Sequence, residues 1–108
     1  TAIPTATDDV HVPQNFPKVS ITSPASGTTA KPQTPVHIEL VVIGTYPVKK
    51  SELYINDRYI STNEQNPKLL TFVPGDVGMA IGKNIIKVVV YDTILNKGET
   101  TVDLVIEN

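Results

Sequence analysis

The chain is 108 residues long with a formal net charge of −2, enough for one domain core and too short for two. It has no cysteine, which excludes a disulfide framework, thiol catalysis and thiolate metal sites. Its slight acidity argues against a nucleic-acid partner, which a basic excess would attract.

Hydrophobic residues are 40% and charged residues 19%, a globular balance. No apolar run approaches the roughly 18–20 residues that span a bilayer, so no membrane insertion is expected. Residues 1–17 carry Pro4, Pro13 and Pro17, several threonines, and the acidic pair Asp8 and Asp9. Their apolar residues show no period. Proline fixes its own φ and biases its predecessor to extended backbone, so an extended linker is expected here. A first edge strand around residues 10–12 is the alternative. The opening lacks a basic region followed by an apolar stretch, so an export signal is expected outside this stretch.

From residue 18 onward, short β-rich runs alternate with turn punctuation. Residues 18–22 place Val19 and Ile21 on one face, and residues 23–27 (S-P-A-S-G) break the run. In residues 35–43, Val36, Ile38, Leu40 and Val42 share an inward face while His37 and Glu39 point out. Residues 44–47 end that strand. Residues 52–56 form a short strand with Leu53 and Ile55 on one face. Asn56 and Asp57 signal a turn, and residues 58–61 resume as a strand. Residues 69–73 are a further run, ended by Pro74 and Gly75. The segment 77–83 holds Gly78 and Gly82 and is too short for a stable helix. Residues 84–91 (N-I-I-K-V-V-V-Y) are strongly β-branched, so this strand is expected to be partly covered on both sides. Residues 95–98 form a turn, and residues 99–106 alternate again with Val102, Leu104 and Ile106 inward. About seven short strands without a helix predict an immunoglobulin-like, antiparallel Greek-key β-sandwich over residues 18–108. Long connections are expected near residues 27–35, 44–51, 61–68 and 74–83. Ile38, Leu40, Val88, Val90 and Leu104 are the expected core. Lys18 and Pro35 at strand starts are expected to blunt exposed edges and keep the chain a monomer.

The segment 19–27 (V-S-I-T-S-P-A-S-G) resembles the opening strand and turn of bacterial immunoglobulin-like domains. Residues 53–57 (L-Y-I-N-D) resemble their mid-domain strand and turn. Residues 88–92 (V-V-V-Y-D) followed by 96–98 (N-K-G) resemble their late hairpin. The likeness covers about residues 18–107. It departs at Tyr91, where alanine is common, and at Leu95, where glycine is common. What the resemblance implies is an extracytoplasmic, secreted or cell-surface accessory module without a cofactor. Such modules occur at the C-termini of some penicillin-binding proteins and within proteases, glycosidases and adhesins. Its partners would be neighbouring domains of a parent protein.

Catalytic chemistry finds little support in the residues. His11 lies in the expected linker and His37 on an outward strand face, with no G-x-S-x-G elbow. The carboxylates are scattered singly, so no pair faces across a cleft for glycoside hydrolysis. No glycine-rich loop opens a helix for phosphate. Catalysis is therefore not expected. Lys49 and Lys50 form the only basic pair and read as a solvated loop. Zinc would need several converging ligands, and the histidines supply none. Asp92 and Asn96 flank a turn, with Asp76 in another loop. They hold local backbone amides as Asx residues do, or they are weak calcium candidates.

Sugar binding rests on exposed aromatic rings, which offer apolar area and a polar handle. The rings are Phe16, Phe72, Tyr46, Tyr54, Tyr59 and Tyr91. Tyr54 and Tyr91 are expected to pair across neighbouring strands. Tyr46 in a loop and Tyr59 after a turn are the expected exposed rings, serving either ordinary packing or contact with a cell-wall polysaccharide. The function expected is a spacer or interaction module, with a carbohydrate-binding targeting module as the alternative.

Overall fold

The computed structural model describes residues 16–108 of the chain. His11 and the alternative strand near residues 10–12 lie outside the described residues, as does most of the expected linker. Eight strands follow in order: β1 (Lys18–Ser23), β2 (Thr28–Ala30), β3 (Val36–Ile43), β4 (Val48–Ile55), β5 (Arg58–Asn63), β6 (Leu69–Phe72), β7 (Gly82–Asp92) and β8 (Lys97–Ile106). They form a three-stranded sheet of order β1-β3-β6 and a five-stranded sheet of order β2-β8-β7-β4-β5. The chain crosses between sheets at β1–β2, β2–β3, β3–β4, β5–β6 and β6–β7, which makes the expected immunoglobulin-like β-sandwich.

Side-chain alternation places the core between the sheets. On β3, Val36, Ile38 and Leu40 are buried and His37, Glu39 and Val41 are exposed. Across the sandwich, Leu53 and Ile55 of β4, Ile86, Val88 and Val90 of β7, and Leu104 and Ile106 of β8 meet them. Val42 is only half-buried and packs at the rim of this core. Val89 points to the opposite face from Val88 and Val90 yet is 5% exposed, flanked there by Glu52 and Glu99. The expectation that β7 is covered on both sides holds at that position.

Several features differ from the sequence reading, among them strand ends: β5 runs on to Asn63, and β7 and β8 begin at Gly82 and Lys97, two residues earlier than expected. Thr28–Ala30 is a strand inside the expected connection 27–35, and it pairs parallel to β8, Thr28 opposite Leu104. The sandwich is thus not wholly antiparallel. β4 begins at Val48 instead of residue 52, so Lys49 and Lys50 are strand residues and not a loop. Lys49 is the extra residue of a register skip between Val48 and Lys50. Pro35 precedes β3, the central strand of the smaller sheet, so it guards no edge.

The two six-residue edge strands, β1 and β5, are each interrupted. Thr22 is inserted between the pairs Ile21–Leu40 and Ser23–Glu39. Ile60 is inserted between Leu53–Ser61 and Tyr54–Tyr59. A bulge leaves one residue unpaired and twists the strand locally, which spoils the edge as a template for another chain.

The turns follow their residues. Asn56 and Asp57 have φ of 52° and 67°, the pair of positive values that a two-residue type I′ hairpin requires. Asn84 is buried, and its side-chain amide donates to the carbonyls of Ala80 (2.9 Å) and Gly82 (3.0 Å). Its oxygen accepts from Asn56 Nδ2 at 2.9 Å. Asn84 therefore fastens the β6–β7 loop to the β4–β5 turn. At the other end, Pro17 lies over Gly98 and Gly44. A Cβ on Gly98 would collide with the Pro17 carbonyl, and one on Gly44 would lie 3.2 Å from Pro17 Cα.

Candidate ligand-binding cleft

On the outer face of the five-stranded sheet, Tyr54, Tyr59 and Tyr91 lie among lysines, two of which, Lys50 and Lys87, cover a ring. Register sets Lys50 opposite Tyr91, Glu52 opposite Val89 and Tyr54 opposite Lys87. Each lysine accordingly lies over the ring across from it, Lys50 Nζ 4.8 Å from Tyr91 and Lys87 Nζ 4.9 Å from Tyr54. These are cation–π distances. The expected Tyr54–Tyr91 pair is therefore corrected: the register offsets the two rings and gives each a lysine. Tyr54 instead meets Tyr59 edge-to-face, centroids 5.7 Å apart and planes at 71°.

Tyr54 donates its hydroxyl to Glu52 Oε1 at 3.0 Å. That hydrogen bond to a carboxylate is the first cause holding the Tyr54 phenol above its ordinary pKa; desolvation and the charge of Glu52 add to it. Burial raises Tyr91 in the same direction, helped by the charges of Glu52 and Glu99 and a hydrogen bond to Glu52.

Tyr59 differs from both. It is 54% exposed, and its hydroxyl shares a 2.5 Å hydrogen bond with Thr62 Oγ1. It borders an open cleft of about 400 Å³ lined by Arg58, Tyr59, Ile60, Asp76, Val77 and Gly78. β5 supplies the first three residues directly after the Asn56–Asp57 turn. The second wall is wound into turns by Asp76 N–H and Val77 N–H donating to Val73 O, and by Met79 N–H donating to Pro74 O. Buried Met79 anchors it to the core. Arg58 Nη2 donates to the Val77 carbonyl across the cleft. Gly78, at φ +75°, leaves room for that guanidinium, since a Cβ there would lie 3.1 Å from Nη2. Among the described residues, the ion pairs are Lys50–Glu52, Lys83–Asp103 and Lys87–Asp57, so Arg58 and Asp76 are not paired with each other.

Tyr46 lies elsewhere. It is half-buried in the β3–β4 loop, at the opposite end of β4 from the residue that faces Tyr59. Roughly 25 Å of strand separates their levels, at about 3.3 Å per residue. The two candidate rings do not share a site.

Asp92 and Asn96 form a closed turn. Asp92 Oδ1 accepts from the backbone amides of Ile94 (3.0 Å) and Asn96 (2.9 Å). Asp92 N–H donates to the Asn96 carbonyl at 3.0 Å. Leu95 takes φ +67° within this turn, the left-handed conformation that glycine adopts freely. Asp92 Oδ2 and Ser51 Oγ are buried without a hydrogen-bond partner among the described residues. No group of three or more His, Cys, Asp or Glu side chains is placed to hold a metal among those residues.

His37 faces outward and shares a 3.0 Å hydrogen bond with Thr71 Oγ1 of β6. It borders a larger open depression of about 570 Å³ with Thr22, Glu39, Val41, Lys68 and Leu69 on the smaller sheet. That depression is lined by no Phe or Tyr ring. Of the residues lining the two clefts, the sequence reading offered only Tyr59 as a ligand contact; it had His37 and Glu39 as outward strand residues and Asp76 as a loop carboxylate. Arg58 and Asp76 stand far apart in sequence as isolated surface charges, and only the β6–β7 loop joins them.

No helix among the described residues is long and apolar enough to cross a membrane. Among curated proteins, none matches the chain. Among solved structures, the chain is similar to fibronectin(III)-like modules of CbhA from Clostridium thermocellum. The identity is 25%, with a TM-score of 0.67, covering 82% of this chain and 93% of that one. A superoxide reductase (neelaredoxin) from Ignicoccus hospitalis is similar at 14% identity and TM-score 0.58, covering 95% of this chain and 90% of its own. CopC from Methylosinus trichosporium OB3b is similar at 15% identity and TM-score 0.53, covering 86% and 98%. The last two likenesses concern the fold alone. The family description "Bacterial Ig domain" matches residues 17–103, the span from the buried Pro17 into β8, and the chain belongs to that family.

Proposed function

We propose that this chain is a non-catalytic accessory module of a larger secreted or cell-surface protein, acting as a spacer or interaction domain. Ig-like and fibronectin(III)-like domains are generally non-catalytic, and bacterial Ig domains are commonly extracellular or surface-associated. The observation that carries the reading is mutual coverage: the chain and a CbhA module each account for most of the other. A cell-wall enzyme such as a penicillin-binding protein is one parent that suits such a module. Neighbouring domains are its first partners, and the chain by itself is monomeric, because a bulge interrupts each long edge strand. The test is autonomy. Residues 17–108 alone should unfold in urea with the same midpoint and steepness as the whole chain. A broad or shifted transition overturns the module reading.

A second reading is favoured by the exposed ring of Tyr59: a targeting module for polysaccharide. Co-sedimentation with insoluble peptidoglycan, chitin and cellulose, with and without calcium, separates the two. Saturable pelleting that is lost in Tyr59→Ala and kept in Tyr46→Ala makes this a targeting module. Protein left in the supernatant with all three polymers leaves the spacer role.

A further inference from the structure

We infer that the cleft between Tyr59 and the 76–78 turn is a subsite for one neutral pyranoside ring, with Tyr59 as the stacking platform and Arg58 and Asp76 as its polar flanks. The inference rests on the second reading above and names its site and ligand class. The sequence offered Asp76 only as a loop carboxylate beside the calcium question and did not single out Arg58, and the cleft exists only because the β6–β7 loop folds back over β5.

The geometry carries it in three steps. First, the ring is held before any ligand arrives. Tyr54 supports its edge at 5.7 Å, and Thr62 holds its hydroxyl. A ring fixed in this way loses little side-chain freedom on binding. Second, the polar groups are complementary in kind. Arg58 offers only donors, and its bond to the Val77 carbonyl uses one of five N–H groups. Asp76 offers only acceptors when ionised. A sugar ring has an apolar C–H face for the aromatic, and a rim of hydroxyls that both donate and accept. One cation and one anion sum to zero, which favours a neutral ring over a polyanionic chain. Third, the competing occupant is disfavoured. An extended peptide would add to the free edge of β5, but the inserted Ile60 breaks that edge beside the cleft. The volume, about 400 Å³, lies in the range of small-ligand sites.

The test is titration of the ¹⁵N-labelled 108-residue chain with cellohexaose, chitohexaose and maltohexaose, and with a sulfated hexasaccharide as control, followed by amide chemical shifts. At least one neutral oligosaccharide should shift residues 58–60 and 76–78 saturably. Tyr59→Ala should weaken that binding about tenfold. Asp76→Asn, on the exposed turn, gives a second reading should Tyr59→Ala disturb the fold, and it too should weaken binding. Shifts confined to other residues overturn this cleft and leave a sugar-binding module standing. An absence of shifts with every neutral probe overturns the cleft as a neutral-pyranoside subsite, and the pelleting assay above then decides the targeting reading. Equal binding by the sulfated control overturns the neutral-ring assignment, because attraction to Arg58 alone then suffices.

Discussion

Leu95 shows what a single backbone angle demands. At φ +67° an L side chain crowds its own carbonyl, and Leu95 is 59% exposed, so little packing offsets the strain. The surrounding turn imposes the angle: Asp92 accepts two backbone amides and Leu95 N–H donates to Asp92 O at 3.0 Å. Leu95→Gly should therefore stabilise the chain by up to about 1 kcal/mol, the relief being partly cancelled by the freedom glycine gains when unfolded. A urea midpoint lower than that of the parent chain counts against a strained Leu95. Gly98 has the opposite constraint. Its missing Cβ is where the Pro17 carbonyl sits, so the backbone itself must move to admit any side chain. Gly98→Ala should cost at least about 2 kcal/mol, read as a lower thermal midpoint. A variant as stable as the parent would mean that Pro17 is not pinned there.

Strands were legible where one face is apolar. The alternation in β3 identified Val36, Ile38 and Leu40 correctly, and the structure buries all three. Leu40→Ala should accordingly cost about 2–5 kcal/mol by calorimetry or urea titration; a loss under about 1 kcal/mol contradicts the inward phase. The first half of β4 was not legible. Its outward residues are Lys50 and Glu52, its inward one is the small, buried Ser51, and Lys49 bulges out of register, so no period survives. β2 was invisible for another reason. Thr28–Ala30 has no apolar pattern, and its position is fixed by distant partners: Gly27 N–H donates to Asp103 O, and Asp103 N–H to Ser26 Oγ. The outer face of the larger sheet makes a pH prediction. Tyr54 and Tyr91 both hold their protons more tightly in the fold than the ordinary phenol at 10.0. A raised folded-state value contributes stability that is whole below the unfolded value and is lost as pH rises through the folded one. Urea midpoints should therefore fall above about pH 10, and the double variant Tyr54→Phe with Tyr91→Phe should fall less steeply. Parallel curves for parent and variant count against this account.

At the scale of the molecule, the edges decide how it meets copies of itself. β2 and β6 are only 3 and 4 residues long, and the longer β1 and β5 are bulged. Sedimentation velocity at micromolar concentration should show a monomer; a stable dimer contradicts the role given to Thr22 and Ile60. Sequence placed the exposed ring of Tyr59 but not its surroundings, because a cleft is a relation between loops that only the closed sandwich brings together. It also grouped Tyr46 with Tyr59, although β4 holds them apart. The topology has a mechanical consequence. β1 starts at Lys18, beside the Pro17–Gly98 contact and level with the start of β8, while β8 ends at Ile106, opposite Gly82. Tension applied between Pro17 and Ile106 thus pulls β1 and β8 lengthwise in opposing directions. Their ladders run across the pull, so the bonds of β1 to β3, and of β8 to β7 and β2, share the load at once instead of opening one after another. The same pairings that fix the sandwich make it a stiff link along its long strands.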